Sequence, residues 1–397
     1  MPWKTGGPVS ERKAFLMRLE AGERMADLCR EYVISRKTGY KFLERYKRHG
    51  DGGLVDQSRA PSRVARKTSE AMEALVVSVR RKHPTWGAKK ISAILCRTQP
   101  GVELPSVSTM SAMLKRNGLV APARKRTLVS AYGAPLREAS ASNEVWCTDF
   151  KGQFRLANRH YCYPLTVSDR FSRMLLACEA LEGTDEEGAF EAFHRVFTEY
   201  GLPNAIRSDN GVPFASRGLW GLSKLSVWWL RLGILPERIE PGCPEQNGQH
   251  ERIHRVLKAE TTRPAAANQL AQQERLDLFR TEYCEERPHE ALGQRTPLSC
   301  YMPSLRRMPA VLPELLYPLH DDVVRVDASG HLRVGRVSVF LTSCLATEHV
   351  GIRELHGGTW LITFANIDLG RVITADKRFE PGPSPFGATA RVPDLQG

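Results

Sequence analysis

The sequence predicts a multidomain fold: two small all-α units in tandem, an α/β domain built on a mixed sheet, and a small C-terminal β-barrel. Three observations predict it. Apolar residues recur at helical spacing as far as Asn117, strand-like and helical runs alternate from Glu144, and beyond Tyr317 the pattern is strand-like, broken by Gly and Asp turns. A chain of 397 residues is also too long for one small core. The expected boundaries are 1–60 and 61–120 for the helical units, 121–142 for a connector, 143–300 for the α/β domain, 318–376 for the barrel and 377–397 for a disordered tail.

In the first unit, helices are expected over Ser10 to Ala21, ending at Gly22, and over Met25 to Tyr32, with Met25, Leu28 and Cys29 on one face. Ser35 then caps a third, Arg36 to His49, whose expected inner face is Tyr40, Leu43 and Tyr46 and whose outer face carries Arg36, Lys37, Lys41, Arg45 and Lys47. This is a helix-turn-helix pattern, in which the second helix of the pair enters the DNA major groove. Arg36, Lys37 and Lys41 are its candidate DNA contacts.

Gly50 to Ser62, rich in Gly, Asp, Ser and Pro, marks a linker. The pattern then repeats: Thr68 or Ser69 caps a helix to Lys82, Gly87 to Cys96 gives a second, and Ser106 to Asn117, closed by Gly118, a third. Lys89, Lys90, Lys115 and Arg116 are its candidate phosphate contacts. Ala121 to Ser142 reads as an extended basic connector, with Arg124, Lys125 and Arg126 as further DNA contacts.

Charge supports this division. Residues 1–140 carry 28 Lys and Arg against 12 Asp and Glu, net +16, and the remainder 29 against 32, net −3. So localised a positive excess suits a polyanion, above all nucleic acid. No apolar run approaches the roughly 18 to 20 residues of a membrane helix, and Met1 to Ser10 does not read as a secretory signal, so a cytoplasmic, non-membrane protein is expected. The nine cysteines show no C-x-x-C pair and are expected to be reduced thiols rather than zinc ligands.

From Glu144, strands are expected over Val145 to Phe154, Tyr161 to Asp169, Met174 to Leu181 and Ala205 to Ser208, with an amphipathic helix over Asp185 to Tyr200. Helices follow over Leu219 to Leu232, Asn247 to Glu260 and Gln269 to Glu286. The C-terminal strands are expected over Val323 to Val326, His331 to Val334, Val337 to Leu341, His349 to Leu355, Thr359 to Phe364 and Ile367 to Ile373.

Three carboxylates stand out. Asp149 lies within a strand between Trp146 and Phe150, where an inward carboxylate needs a partner. Asp209 follows an apolar strand in Ser208-Asp209-Asn210-Gly211, at the end where α/β proteins place ligands, although Asp-Asn-Gly alone is a common turn. Glu251 opens a helix on which Arg255 and Lys258 follow at i+4 and i+7, so one face offers an acid and two phosphate-binding cations, or simply a helix-stabilising ion pair. Hard carboxylate oxygens of this kind suit Mg²⁺.

These segments together resemble the retroviral-type integrase core of bacterial insertion-sequence transposases. The resemblance rests on Trp146 with Asp149-Phe150-Lys151-Gly152, on Ser208-Asp209-Asn210-Gly211 with Pro213-Phe214, and on Pro244 with Asn247-Gly248 and Glu251. Tyr283, Arg287-Pro288-His289, Ala291-Leu292 and Thr296-Pro297 resemble the end of that core. It implies an RNase H-like fold on a mixed five-stranded sheet, in which Asp149, Asp209 and Glu251 are the catalytic ligands of two Mg²⁺ ions, with Mn²⁺ as a substitute. The 41 residues between Asp209 and Glu251 exceed the compact pattern, and Leu219 to Leu232 is the expected insertion. Glu245 is the rival third ligand, and Asp169 and Glu240 are expected to be structural.

The implied activity is that of a DNA transposase or integrase. It would hydrolyse a phosphodiester at the element's terminal inverted repeats and join the freed 3′-hydroxyl to double-stranded target DNA, working as a homo-oligomer at the bacterial nucleoid. His254, Arg255 and Lys258 would lie near the phosphates. The competing readings are a catalytically silent DNA-binding regulator and a plain metal-dependent nuclease.

Overall fold

A computed structural model of the chain describes residues 7–57, 68–120, 136, 138–240 and 243–386. It divides into two units, Met1–Thr68 and Ser69–Gly397. The first contains α1 (Pro8–Glu20), α2 (Met25–Glu31) and α3 (Arg36–His49), followed by a 3₁₀ turn over Gly50–Leu54. Ser35 caps α3 by accepting the Thr38 amide. The core is Phe15, Leu16, Leu28, Cys29, Phe42 and Leu54, so the folded unit runs on into the expected linker.

The inner face of α3 differs from expectation: Gly39 and Phe42 are buried, whereas Tyr40 is mostly exposed. The glycine explains the rotation. A Cβ at position 39 would stand 2.7 Å from Met25 Sδ and 3.0 Å from Cys29 Sγ, so α3 closes on α2 through a residue that has no side chain to reveal it as core.

The second unit begins with α4 (Glu70–Lys82), α5 (Ala88–Thr98) and α6 (Val107–Arg116), packed around Val76, Trp86, Ile91, Leu95, Met110, Met113 and Leu114. Ser69 and Ser106 cap α4 and α6. Of the expected connector, including Arg124, Lys125 and Arg126, residues 121–135 and 137 lie outside the described residues.

The α/β domain follows as β1 (Val145–Phe150), β2 (Phe154–Arg155), β3 (Tyr161–Asp169), β4 (Leu175–Leu181), α7 (Glu186–Tyr200), β5 (Ala205–Ser208), α8 (Lys224–Arg231), β6 (Leu235–Arg238), α9 (Gly248–Thr261) and α10 (Gln269–Thr281). Strands β4, β3 and β1 are antiparallel neighbours, and β1, β5 and β6 run parallel. The sheet has six strands rather than five, because the expected Val145 to Phe154 strand breaks at Lys151–Gln153 and β2 resumes pairing with β3. Strand β6 was not expected. Its Leu-Pro-Glu-Arg sequence alternates weakly, and proline is poorly suited to a ladder.

Trp146 is fully buried and donates through Nε1 to Asn143 Oδ1, which also accepts from the Tyr301 hydroxyl. Arg207 on β5 is fully buried too. It donates to Glu237 Oε2 on β6 at 2.6 Å and to the Gln246 carbonyl at 3.3 Å, tying the central strands to the segment that leads into α9. Arg207→Ala is expected to cost about 3–5 kcal/mol in denaturant unfolding, since it leaves Glu237 unpaired in a nearly dry site. The apolar double substitution of Arg207 and Glu237 should cost less than that single one.

The C-terminal strands are β7 (Asp322–Arg325), β8 (His331–Val334), β9 (Val337–Phe340), β10 (His349–His356), β11 (Thr359–Phe364), β12 (Ile367–Ile373) and β13 (Arg378–Pro381). They do not form the expected closed barrel. Five make an antiparallel sheet in the order β13-β12-β11-β10-β7, while β8 and β9 form a separate hairpin that approaches both open edges without pairing to either. Strand β13 and buried Phe386 also lie within the expected disordered tail, of which residues 387–397 are not described. Helix α8 serves two cores at once. Leu225 and Trp229 face the α/β domain, while Val227 and Leu230 pack with the C-terminal strands. The insertion between Asp209 and Glu251 is thus the seat of the C-terminal module.

Candidate functional site

In the parallel pair β1 and β5, Cys147 stands opposite Arg207. Two residues further on, Asp149 and Asp209 therefore leave neighbouring strands side by side at the carboxyl end of the sheet. Asp209 Oδ1 accepts the Gly211 amide at 3.1 Å, which shapes the turn. Glu251 sits exposed in the first turn of α9. The side chain of its rival Glu245 lies outside the described residues.

The anchor of α9 is its neighbour His250, which is fully buried against β3. His250 Nε2 lies 2.6 Å from Thr166 Oγ1 and its Nδ1 lies 3.1 Å from Ser168 Oγ. His254 Nε2 meets the same Thr166 hydroxyl at 2.7 Å, and that hydroxyl donates to the Asp149 carbonyl at 3.1 Å. A threonine hydroxyl has one proton and two lone pairs. With the proton committed to a carbonyl, both histidines must donate from Nε2. His254 consequently turns a bare Nδ1 lone pair toward Asp149 Oδ2, 3.6 Å away. The contact is no ion pair, because burial, with Lys151, pushes the His254 imidazole down to about 3 and keeps it neutral. Thr166→Val is expected to cost about 2–3 kcal/mol in denaturant unfolding, because it strands two buried N–H donors.

Among the described residues no group of three or more His, Cys, Asp or Glu side chains is close enough to hold a metal ion as the side chains stand. What links the three acids is charge. Burial, then the neighbouring Asp209, and also Glu251 push the Asp149 carboxyl up to about 7, against the Phe150 amide and Lys151. Acids gathered against their own repulsion beside an imidazole lone pair fit a divalent cation by donor type and by sign of charge.

Burial, then the nearby Lys258, lowers the Lys151 ammonium, against the opposing pull of Asp149. Arg255 is exposed on the face of α9 that also carries Glu251 and Lys258. Lys151, Thr166 and His250 were not singled out from sequence. Lys151 stands in the Asp149 motif and could have been found there. Thr166 and His250 act through cross-element contacts that no local pattern records.

Arg36, Lys37 and Lys41 are exposed on α3, and Lys115 and Arg116 on α6, although Arg116 also reaches Glu73 at 2.9 Å. Lys89 and Lys90 instead face the α/β domain. Lys89 pairs with Glu290 at 2.5 Å, and burial, with Arg287 nearby, lowers the Lys90 ammonium to about 8. His83 reaches Glu282 at 2.7 Å and Arg97 donates to the Glu286 carbonyl, so the second helical unit rests on the turn that closes α10.

A helix-turn-helix unit followed by this mixed sheet defines a DNA-binding protein with an integrase-type, RNase H-like core. Comparison with known families agrees. Residues 139–244 and 232–297 match families described as Integrase core domain, residues 11–62 a Helix-turn-helix domain and residues 38–114 a Homeodomain-like domain. The chain is 26% identical over 248 residues to an uncharacterized 39.2 kDa protein of insertion element IS476 from Xanthomonas euvesicatoria, covering 62% of this chain and 68% of that one. It is also 26% identical over 231 residues to an uncharacterized 31.7 kDa protein of insertion element IS407 from Burkholderia multivorans, covering 58% and 80%. The HTLV-2 integrase catalytic core domain in complex with magnesium aligns over 42% of this chain and all of its own, at 15% identity and a TM-score of 0.34. The chain thus carries an integrase core preceded by helix-turn-helix-type domains and is similar to proteins of bacterial insertion elements. These domains imply DNA binding and dependence on a divalent metal. No helix among the described residues is long and apolar enough to cross a membrane.

Proposed function

We propose that this chain is a Mg²⁺-dependent DNA transposase that binds the terminal inverted repeats of its element, hydrolyses a phosphodiester there and joins the freed 3′-hydroxyl to target DNA. The observation that carries this reading is the electrostatic convergence of Asp209 and Glu251 on half-buried Asp149, at the carboxyl ends of adjacent parallel strands. Asp149, Asp209 and Glu251 would hold the metal, which when bound activates the attacking oxygen and stabilises the leaving one.

The rest falls to the protein's own groups. His254 offers Asp149 a lone pair instead of a proton, so it leaves that carboxylate unsatisfied and available to a cation. Lys151, Arg255 and Lys258 neutralise phosphate charge and hold the scissile group in line. Arg36, Lys37 and Lys41 on α3, with Lys115 and Arg116 on α6, contact the element end, and Arg124, Lys125 and Arg126 of the basic connector are further DNA contacts. Lys89 and Lys90 contribute only where the second helical unit leaves Glu290. Two ends must be held for joining, hence a homo-oligomer on DNA.

The test is incubation of the protein with element-end duplex, supercoiled target plasmid and Mg²⁺. End-to-plasmid joints support the proposal. Cleavage without joints would make the chain a nuclease, and binding without either would make it a regulator.

A further inference from the structure

The turn between β3 and β4 and the loop over His289–Arg295 enclose an open cleft of about 570 Å³, lined by Glu138, Arg170, Phe171, Arg173, Leu292 and Arg295 among others. Its walls carry three guanidiniums and one carboxylate. Among the described residues, Arg170, Arg173 and Arg295 make no ion pair, with Glu138 or any other acid. Asp169 is adjacent, but its oxygens are committed to the Asn143 amide and to the Ser172 amide and hydroxyl. Arg173 Nε is buried with no hydrogen-bond partner, and the residue sits at φ +65°, a left-handed conformation that an arginine holds only under constraint. Arg170 and Arg252 press further positive charge on it. Between Arg170 and Arg173 the turn presents Phe171, 39% exposed.

Arg295 Nε donates to the Leu292 carbonyl at 3.2 Å and Arg170 reaches the Cys147 thiol, but neither partner is an anion. Guanidiniums clustered without an acid are short of one, and Arg suits phosphate through its planar fork of donors. An exposed aromatic ring beside such a cluster suits a nucleoside. The cleft volume falls within the range of small-ligand sites and admits one nucleotide. It is separate from the carboxylates: the Arg170 amide bonds the Val145 carbonyl at the start of β1, four residues before Asp149 and so about 13 Å along the strand. Helix α9 connects the two, since Gln249 donates to the Arg170 carbonyl and Glu251 lies two residues further on.

We propose that this cleft is a second DNA site of the integrase core, which grips one nucleotide of the bound strand with Arg170, Arg173 and Arg295 on the phosphodiester and Phe171 against the sugar or base. The proposal rests on the transposase reading and adds to it a backbone anchor outside the catalytic end.

The experiment measures binding of the full chain to fluorescein-labelled element-end DNA by anisotropy across a salt series, without divalent metal. The wild type is compared with the Arg170→Gln, Arg173→Gln, Arg295→Gln triple variant and with Phe171→Ala, each checked by thermal melting. The expected result for the triple variant is a slope of log affinity against log salt reduced by roughly one to two, with binding weakened more than tenfold at low salt. Phe171→Ala, an exposed position that keeps the fold if the triple variant does not, should weaken binding roughly fivefold or more with an unchanged slope. Iodouridine placed along the strand should crosslink to peptide 170–173 in the wild type. Unchanged slope and affinity in folded variants, with the wild type binding DNA and crosslinking elsewhere, overturns the site alone. Displacement of the DNA by millimolar inorganic phosphate at constant ionic strength, in the wild type but not in the triple variant, would make it a free-phosphate site and overturn it too. Failure of the wild type to bind any DNA overturns the transposase reading as well.

Discussion

Asp149→Asn, Asp209→Asn and Glu251→Gln each lower cutting and joining of element-end DNA by on the order of 10³-fold or more, while DNA binding stays within about threefold of wild type or tightens. The reason is charge. Each replacement keeps the shape of the side chain and removes one anionic oxygen from a site whose purpose is to hold cations against a phosphate. The three substitutions act as a unit, so any pair should cost little more than the worst single one. Loss at Asp149 and Asp209 without loss at Glu251 would exclude α9 from the site and leave Glu245 to be tested in its place.

The same Asp149→Asn substitution is expected to stabilise the metal-free protein. The folded-state carboxyl titrates at about 7, against an ordinary 3.8. The folded state therefore holds the proton more tightly than the unfolded chain, and stability falls as pH rises from about 4 to about 7 and is level above that. The full penalty is about 4 kcal/mol at most, and solvent and relaxation reduce it to about 2–4 kcal/mol in practice. Asparagine removes it. In EDTA the variant should be more stable than wild type at pH 8 by that amount and close to it at pH 4, as read by denaturant unfolding. Metal binding must displace the same proton, so apparent metal affinity should rise about tenfold per pH unit below 7 and flatten above. A variant no more stable than wild type at pH 8 would mean that Asp149 is not held beside the other acids.

Much of this was legible in the sequence because the elements that build the site are long and strongly patterned. Strand β3 and helix α3 lie where periodicity puts them, and Ser35, Ser69, Ser106 and Asp185 all cap the helices they precede. The acids were singled out through their motifs. What escaped was set by contacts between distant elements. Gly39 faces the core with no side chain to betray it, and β6 pairs with β5 where Arg207 reaches Glu237 across the two strands. The C-terminal strands were found, but whether a sheet closes depends on the twist and register of its edges, and here a hairpin stands in the gap. Lys89 and Lys90 looked like phosphate ligands because a lysine's charge is visible in sequence and its partner, Glu290, is two hundred residues away.

The central claim is that three acids from β1, the end of β5 and α9 share one divalent-ion site. The most direct measurement is an anomalous difference map from crystals of the full chain grown with element-end DNA and Mn²⁺. The account predicts peaks bounded by the carboxylates of Asp149, Asp209 and Glu251, lost in Asp149→Asn. Peaks held by other residues, or bound DNA with no ion beside Asp149, would contradict it.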